Sequence, residues 1–412
     1  MSLVKAFRGL RPAPGYTADV AAPPYDVMSA DEARVMVEGR PWSFLHISRA
    51  EVDLPQGTDP YAPEVYAKAA ENLRKMKAEQ VLVHDQLDSF YVYRLTMGSH
   101  QQTGLVAAAS VAAYDQGRIK KHEFTRPKKE DDRVRQIDAL DAQTGPVFLV
   151  YSSEVEVDQI LADATLALPA MDVTADDGVR HEVWVLDDAE RVGRLTALFD
   201  AMPALYVADG HHRSAAASRV TADRKVANPE HTGEEGYNYF LSVIFPHNQM
   251  QILDYNRVVR DLNGLERTAF VEAVAENFEL TASDQPVKPA GPGEFGMYLA
   301  GQWYRLSIEP QKIPANDPVA SLDISLLTAE LIDPILGISD PRRDDRIDFI
   351  GGIRGLAGLE KRVDSGEMAV AFSLYPTSME ALMAVADDDE VMPPKSTWFE
   401  PKLSDGLVSH EL

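Results

Sequence analysis

Residues 204–220 read ALYVADGHHRSAAASRV, and this stretch sets the expected fold. The run Ala204 to Ala208 is short, apolar and of strand type. Asp209-Gly210 is a turn dipeptide that ends it. From His211 onward, small and apolar residues recur at helical spacing, so the predicted unit is strand, tight turn, helix. The turn gathers a carboxylate, a glycine, two imidazoles and a guanidinium within Asp209, Gly210, His211, His212 and Arg213.

The first turn of such a helix has N–H groups without intrahelical acceptors and the positive end of the macrodipole. Gly210 lets the backbone approach a ligand with no Cβ in the way. Arg213 offers a bidentate fork suited to phosphate. His211 and His212 can donate hydrogen bonds or exchange protons near neutral pH. The stretch is a candidate phosphate cradle. The competing reading is an ordinary strand-to-helix turn with surface histidines. A metal site of Asp209, His211 and His212 is the weaker reading, because zinc-binding histidines on one helix face stand four apart.

Outward from this stretch, 181–186 reads as a strand and 190–199 as a helix. Strand, helix, strand, helix over 181–222 suggests a βαβ unit and a partly parallel sheet. The apolar run 239–246 predicts a central strand, 147–151 another, and 90–96 with 104–113 an antiparallel hairpin. The fold class expected is α+β (mixed α/β), with mixed sheets and flanking helices. The polar stretch 224–236, holding His231, reads as a loop over the site. Further on, 323–336 predicts a helix, and Thr377 to Glu380 a capping box. A Pro/Gly-rich stretch over 283–293 suggests a boundary near 285. The organisation expected is a main body over 1–285 and a C-terminal α+β subdomain over 286–412 with its tail folding back.

Three more stretches carry candidate chemistry. In AAPPYD (21–26), Pro23 and Pro24 stiffen the backbone ahead of Asp26, which is either a turn residue or a carboxylate aimed into a cleft. In KHEFTRP (121–127), His122, Glu123 and Arg126 precede a helix predicted over 130–140, as a solvated surface or as an acid/base pair with an anion binder. The tail MPPKSTWFEPKL (392–403) has adjacent aromatics that a disordered segment normally lacks, so it is expected to dock and to bring Lys395 and Lys402 toward an anion.

The chain has 412 residues, long enough for two or three domains as a soft prior, and 45% hydrophobic content typical of globular proteins. It has no cysteine, which excludes disulfides and thiolate chemistry. Its net charge of −25 gives no basic face for nucleic acid, although a small anion in a local pocket remains compatible. No apolar run reaches the roughly 18 residues of a membrane span, and the first ten residues hold no secretory stretch. The expectation is a cytoplasmic protein with a small-molecule partner, no nucleic acid and no membrane, its homo-oligomerisation left open.

Five strings together, AAPPYDV (21–27), KHEFTRP (121–127), ADGHHR (208–213), YNYFLSVIF (237–245) and MPPKSTWFEPKL (392–403), resemble the bacterial and archaeal family labelled domain of unknown function 1015. The turn Asp209 to Arg213 is also similar to the phosphate-holding turn of the ParB/sulfiredoxin superfamily, whose members include free-serine kinases. This resemblance implies a small-molecule phosphotransferase making O-phosphoserine from serine, with pyrophosphate, ADP or ATP as donor and Mg²⁺ as a presumed cofactor. It implies that Gly210, Arg213, Arg126, Lys395 and Lys402 hold phosphate, and that His211 or His212 stabilises the transferring group. Asp26 or Glu123 would then accept the hydroxyl proton, and Asp209 would position Mg²⁺ or orient a histidine. The alternatives are a ParB-like nucleotide-binding regulator without turnover and a metal-dependent hydrolase using His122, Glu123, His211 and His212.

Overall fold

The computed structural model describes residues 2–412. Their contacts form two units, one of residues up to Met250 together with Pro401–Leu412, the other of Gln251–Glu400.

The first unit is built on a nine-stranded sheet. Its strands are β1 (Val4–Lys5), β2 (Phe90–Met97), β3 (His100–Ser110), β4 (Ile119–Lys120), β5 (Val147–Tyr151), β6 (Met171–Thr174), β7 (Arg180–Leu186), β8 (Leu205–Asp209) and β9 (Tyr239–Pro246). The order is β4-β8-β5-β9-β3-β2-β7-β6, with β1 beside β3. Two pairs are parallel, β8 with β4 and β5 with β9, and β8 runs antiparallel to β5. The mixed α/β class holds, and every residue of β9 is buried, as its unbroken apolar run predicts for a strand covered on both faces. Phe240 and Ile244 on β9 are fully buried, each worth about 2–3 kcal/mol of transfer free energy.

Its main helices are α1 (Ala30–Met36), α2 (Pro63–Ala78), α3 (Val111–Asp115), α4 (Pro127–Leu140), α5 (Val155–Ala164), α6 (Ala189–Ala201) and α7 (His211–Ala227). The capping box predicted ahead of α1 is present, with Ser29 and Glu32 bonding each other's backbone N–H. Helix α7 turns Ser214, Ala216, Ala217 and Val220 inward; Ala216 and Val220 pack on Ile137 of α4. Small side chains on this face let the two helices approach closely.

Three sequence expectations for this unit are corrected. The strand expected to reach 113 ends at Ser110, whose hydroxyl accepts the Ala113 N–H and starts α3. Strands β7 and β8 are not neighbours, so the βαβ unit read over 181–222 is absent; the parallel partner of β8 is β4. The loop after α7 does not cover the Gly210 turn, because α7 carries it about 25 Å away. His231 there stacks on Tyr237 and lies 3.1 Å from the Glu235 carboxylate.

The second unit holds a six-stranded sheet of β10 (Tyr255–Val259), β11 (Glu279–Ser283), β12 (Glu294–Leu299), β13 (Gln302–Ser307), β14 (Ile347–Gly351) and β15 (Val370–Leu374). Every neighbouring pair in the order β11-β13-β12-β15-β10-β14 is antiparallel. The Pro/Gly-rich stretch 283–293 is the connection from β11 to β12. The helix expected over 323–336 is α-helical only over Asp323–Leu327 and then widens to a π-turn over Thr328–Ile332. There the Asp333 N–H reaches back to Thr328, while the Thr328 hydroxyl donates to the Ile324 carbonyl. The cap expected at Thr377 belongs to Ser378, which accepts the Ala381 N–H; the Thr377 hydroxyl donates to the Ser396 carbonyl instead.

The C-terminal residues complete the first unit. Asp405 exchanges backbone hydrogen bonds with Ala22, and His410–Glu411 pairs with Ala142–Gln143.

Candidate functional site

Strand β8 ends in an irregularity, where its register on β5 shifts between Val207 and Asp209. Such shifts re-aim side chains at a strand end. Gly210 follows with φ +96°, a conformation that costs other residues. A Cβ there would sit 3.3 Å from both the Val147 Cα and the Arg213 Nε. Gly210→Ala is therefore expected to destabilise the fold by about 1–2 kcal/mol through its backbone alone. The loss would register as a lower denaturation midpoint; an unchanged midpoint would contradict the strained turn.

The Gly210 N–H is taken by Asp209 Oδ1 at 2.8 Å, and the Gly210 carbonyl accepts from Arg213 and Ser214. The helix tip therefore presents the N–H groups of His211 and His212 rather than that of Gly210. Burial opposes ionisation of Asp209, but the Lys402 ammonium and then Arg213 hold its carboxyl down at about 2. Lys402 Nζ lies 3.5 Å from Asp209 Oδ2.

Arg213 donates to the Pro146 carbonyl and borders a cavity that opens to solvent. Around it stand Tyr25, Ser48, Arg133, Thr144 and Asp405. Burial works against the Arg213 charge, yet Asp26 and Asp209 raise its pKa above the ordinary value. Arg133 sits 3.9 Å above the Tyr25 ring and pairs with Asp132 at 2.6 Å; Asp132 also accepts the Tyr66 hydroxyl. The cavity thus has two guanidinium groups on its wall. Opposite in charge is Asp405, 2% exposed, which burial pushes up to about 7 despite Arg213 and Arg133. The buried Ser48 hydroxyl has no hydrogen-bond partner.

Beside Asp209 lies a second group. The His122 and His211 rings meet edge to face at 4.5 Å, and His211 Nδ1 is 3.7 Å from Glu123 Oε2. Both rings are 3% exposed. Burial lowers His122 to about 4 and His211 well below the ordinary histidine value. Both are neutral at physiological pH, so neither brings a positive charge to an anion. His122 Nδ1 and His211 Nε2 are buried without a partner. His212 faces elsewhere: its Nε2 accepts the Arg126 N–H at 3.1 Å, and burial lowers its pKa. Adjacent histidines that diverge in this way do not converge on one metal, and among the described residues no three His, Asp or Glu side chains could hold one.

The residues singled out in the sequence distribute as follows. Asp209, Gly210, Arg213 and Lys402 come together, with Glu123 and His211 alongside. Asp26 is exposed on the loop after Pro24, and its charge acts on Arg213 and Asp405. Arg126 is exposed and meets His212 through its backbone. Lys395 belongs to the second unit. Sequence reasoning missed Arg133 and Asp405. Arg133 lies within a charge-rich helix where no residue type marks it out, and Asp405 precedes a glycine in the tail; the pairing of Ala22 with Asp405 brings the latter inside.

No curated protein matches the chain. Among solved structures, a free serine kinase in complex with AMP is similar over 74% of this chain and 92% of its own, at 13% identity and TM-score 0.34. A conserved hypothetical protein from Pyrococcus furiosus matches over 74% and 94%, at 13% identity and TM-score 0.34. SbnI with a C-terminal truncation, from Staphylococcus aureus, matches over 74% and 86%, at 12% identity and TM-score 0.36. The family model described as protein of unknown function (DUF1015) matches residues 4–325, most of the chain, and to that family this protein belongs.

Proposed function

We propose that this protein is a small-molecule phosphotransferase that makes O-phosphoserine from free L-serine, with pyrophosphate, ADP or ATP as donor. One observation carries the reading. Arg213, at the tip of α7, borders the same cavity as Arg133 and as a carboxyl group whose pKa lies near neutrality. Phosphoryl transfer asks for positioning, charge stabilisation and an acceptor for the hydroxyl proton, and these groups supply each. The likeness of Asp209 to Arg213 to the phosphate-holding turn of the ParB/sulfiredoxin superfamily points the same way.

In this reading the N–H groups of His211 and His212, with Arg213 and Lys402, hold the donor phosphates. Asp405 takes the proton from the serine hydroxyl as that oxygen bonds to phosphorus and the donor's leaving oxygen departs. Asp26, on the surface loop, keeps Arg213 charged. Glu123 orients the neutral His211 ring, and His212 braces the Arg126 backbone where α4 begins. Asp209 is ionised, with Oδ1 on the Gly210 N–H and Oδ2 facing Lys402, and as the carboxylate of this turn it would supply a ligand to Mg²⁺, an ion usually held by one or two carboxylates plus substrate phosphates. Such an ion would neutralise charge on the donor.

The test is incubation of the full chain with serine, Mg²⁺ and each donor in turn, followed by mass-spectrometric detection of O-phosphoserine. Product with at least one donor is the expected result. Thermal stabilisation by a nucleotide with no product from any donor would instead identify a binding protein without turnover.

A further inference from the structure

We propose that the second unit carries an oxyanion-binding site of its own, built on Arg257 and Lys395. Arg257 lies on β10 and is 1% exposed. Its guanidinium donates to the carbonyls of Tyr255, Pro394 and Lys395 and lies 4.9 Å from the Phe349 ring centroid. All of these partners are neutral. Among the described residues no carboxylate forms an ion pair with Arg257, and its Nε is buried without an acceptor. A guanidinium taken out of water without a counter-charge is costly, and proteins retain such groups where something charged completes them. Burial pulls its pKa down to about 9, which still leaves it cationic at neutral pH.

A second cation is held beside it. Lys395 has φ +60°, a left-handed conformation uncommon for a residue other than glycine. The bond from Arg257 to the Lys395 carbonyl, 3.0 Å long, ties down this backbone. The Lys395 ammonium then lies 5.6 Å from the Tyr255 ring centroid. Arg257, Lys395 and Tyr255 line one small cleft open to solvent, together with Asp323, Thr377 and Ser396. Asp323 does not neutralise either cation: its Oδ1 accepts the Gly293 N–H, its Oδ2 has no partner, and burial raises its pKa to about 6.

The cleft is too small for a nucleotide. A planar fork and an ammonium on its wall match the oxygens of a phosphate or a carboxylate. None of these residues belongs to the Asp209–Arg213 turn.

Titration calorimetry on the full chain tests the proposal, with inorganic phosphate and acetate as separate probes. The Arg213→Ala background removes the anion site of the first unit. In that background one site should remain for phosphate, for acetate or for both, and the preferred probe gives the head-group chemistry. Adding Lys395→Gln, which keeps the backbone demand and removes the charge, should weaken that binding about tenfold or more. Arg257→Gln should abolish it, with circular dichroism reporting whether the variant folds. Binding of neither probe to Arg213→Ala would overturn the proposal, as would binding that Lys395→Gln leaves unchanged.

Discussion

Arg213→Ala is expected to lower kcat/KM for phosphoryl transfer by about 10³-fold, the scale on which a lost arginine or oxyanion donor acts on charge in a transition state. The guanidinium sits on the first turn of α7, borders the Arg133 cavity and is kept charged against burial by Asp26 and Asp209. Part of the effect would be structural, because Arg213 also holds the Pro146 carbonyl. Arg213→Lys separates the two contributions. It keeps a charge at the helix tip and loses the planar fork, so it should recover some donor affinity but not the full rate. Steady-state kinetics on both variants, with melting curves beside them, would check this. An alanine variant with undiminished kcat/KM would place the chemistry elsewhere.

The second large effect concerns Asp405. Its folded-state pKa of about 7 lies well above the ordinary aspartate value near 3.8, with burial as the main cause. The fold therefore favours the protonated carboxyl. Stability from this group is complete below about pH 4 and is lost as pH rises through about 7, by roughly 4 kcal/mol above it. Catalysis has the opposite dependence, because only the carboxylate accepts a proton, so kcat should rise through the same window. Asp405→Asn should cost about 10²-fold in kcat and remove that rise. The same variant should be more stable than the parent at pH 8, since it no longer buries a charge. A kcat–pH profile and denaturant midpoints at pH 5 and pH 8 report both. An asparagine variant that keeps the parent's rate and pH profile would rule Asp405 out as the base.

Local structure at the turn was legible because single residues dictate it. Asp209-Gly210 ends an apolar run, alanines follow, and strand β8, the left-handed glycine and α7 are where the sequence puts them. The central strand β9 was legible because its residues are apolar without alternation. Sheet order was not, because the neighbours of β8 are set by pairings across long separations, with β4 and β5 rather than β7. Lys402 was legible as a tail cation, and it meets Asp209. The neutrality of His122 and His211 was not, because it follows from burial in the finished fold. Asp405 escaped for the same reason: an aspartate before a glycine signals an exposed turn until the pairing with Ala22 buries it.

Anion binding at the tip of α7 underlies every role proposed for the site. Its most direct test is a titration of ¹⁵N-labelled protein with pyrophosphate, followed through the backbone amides of His211 and His212. Saturable shifts of both amides are expected in the parent protein, lost or greatly weakened in Arg213→Ala. Amides that stay in place while pyrophosphate binds elsewhere on the chain would contradict it.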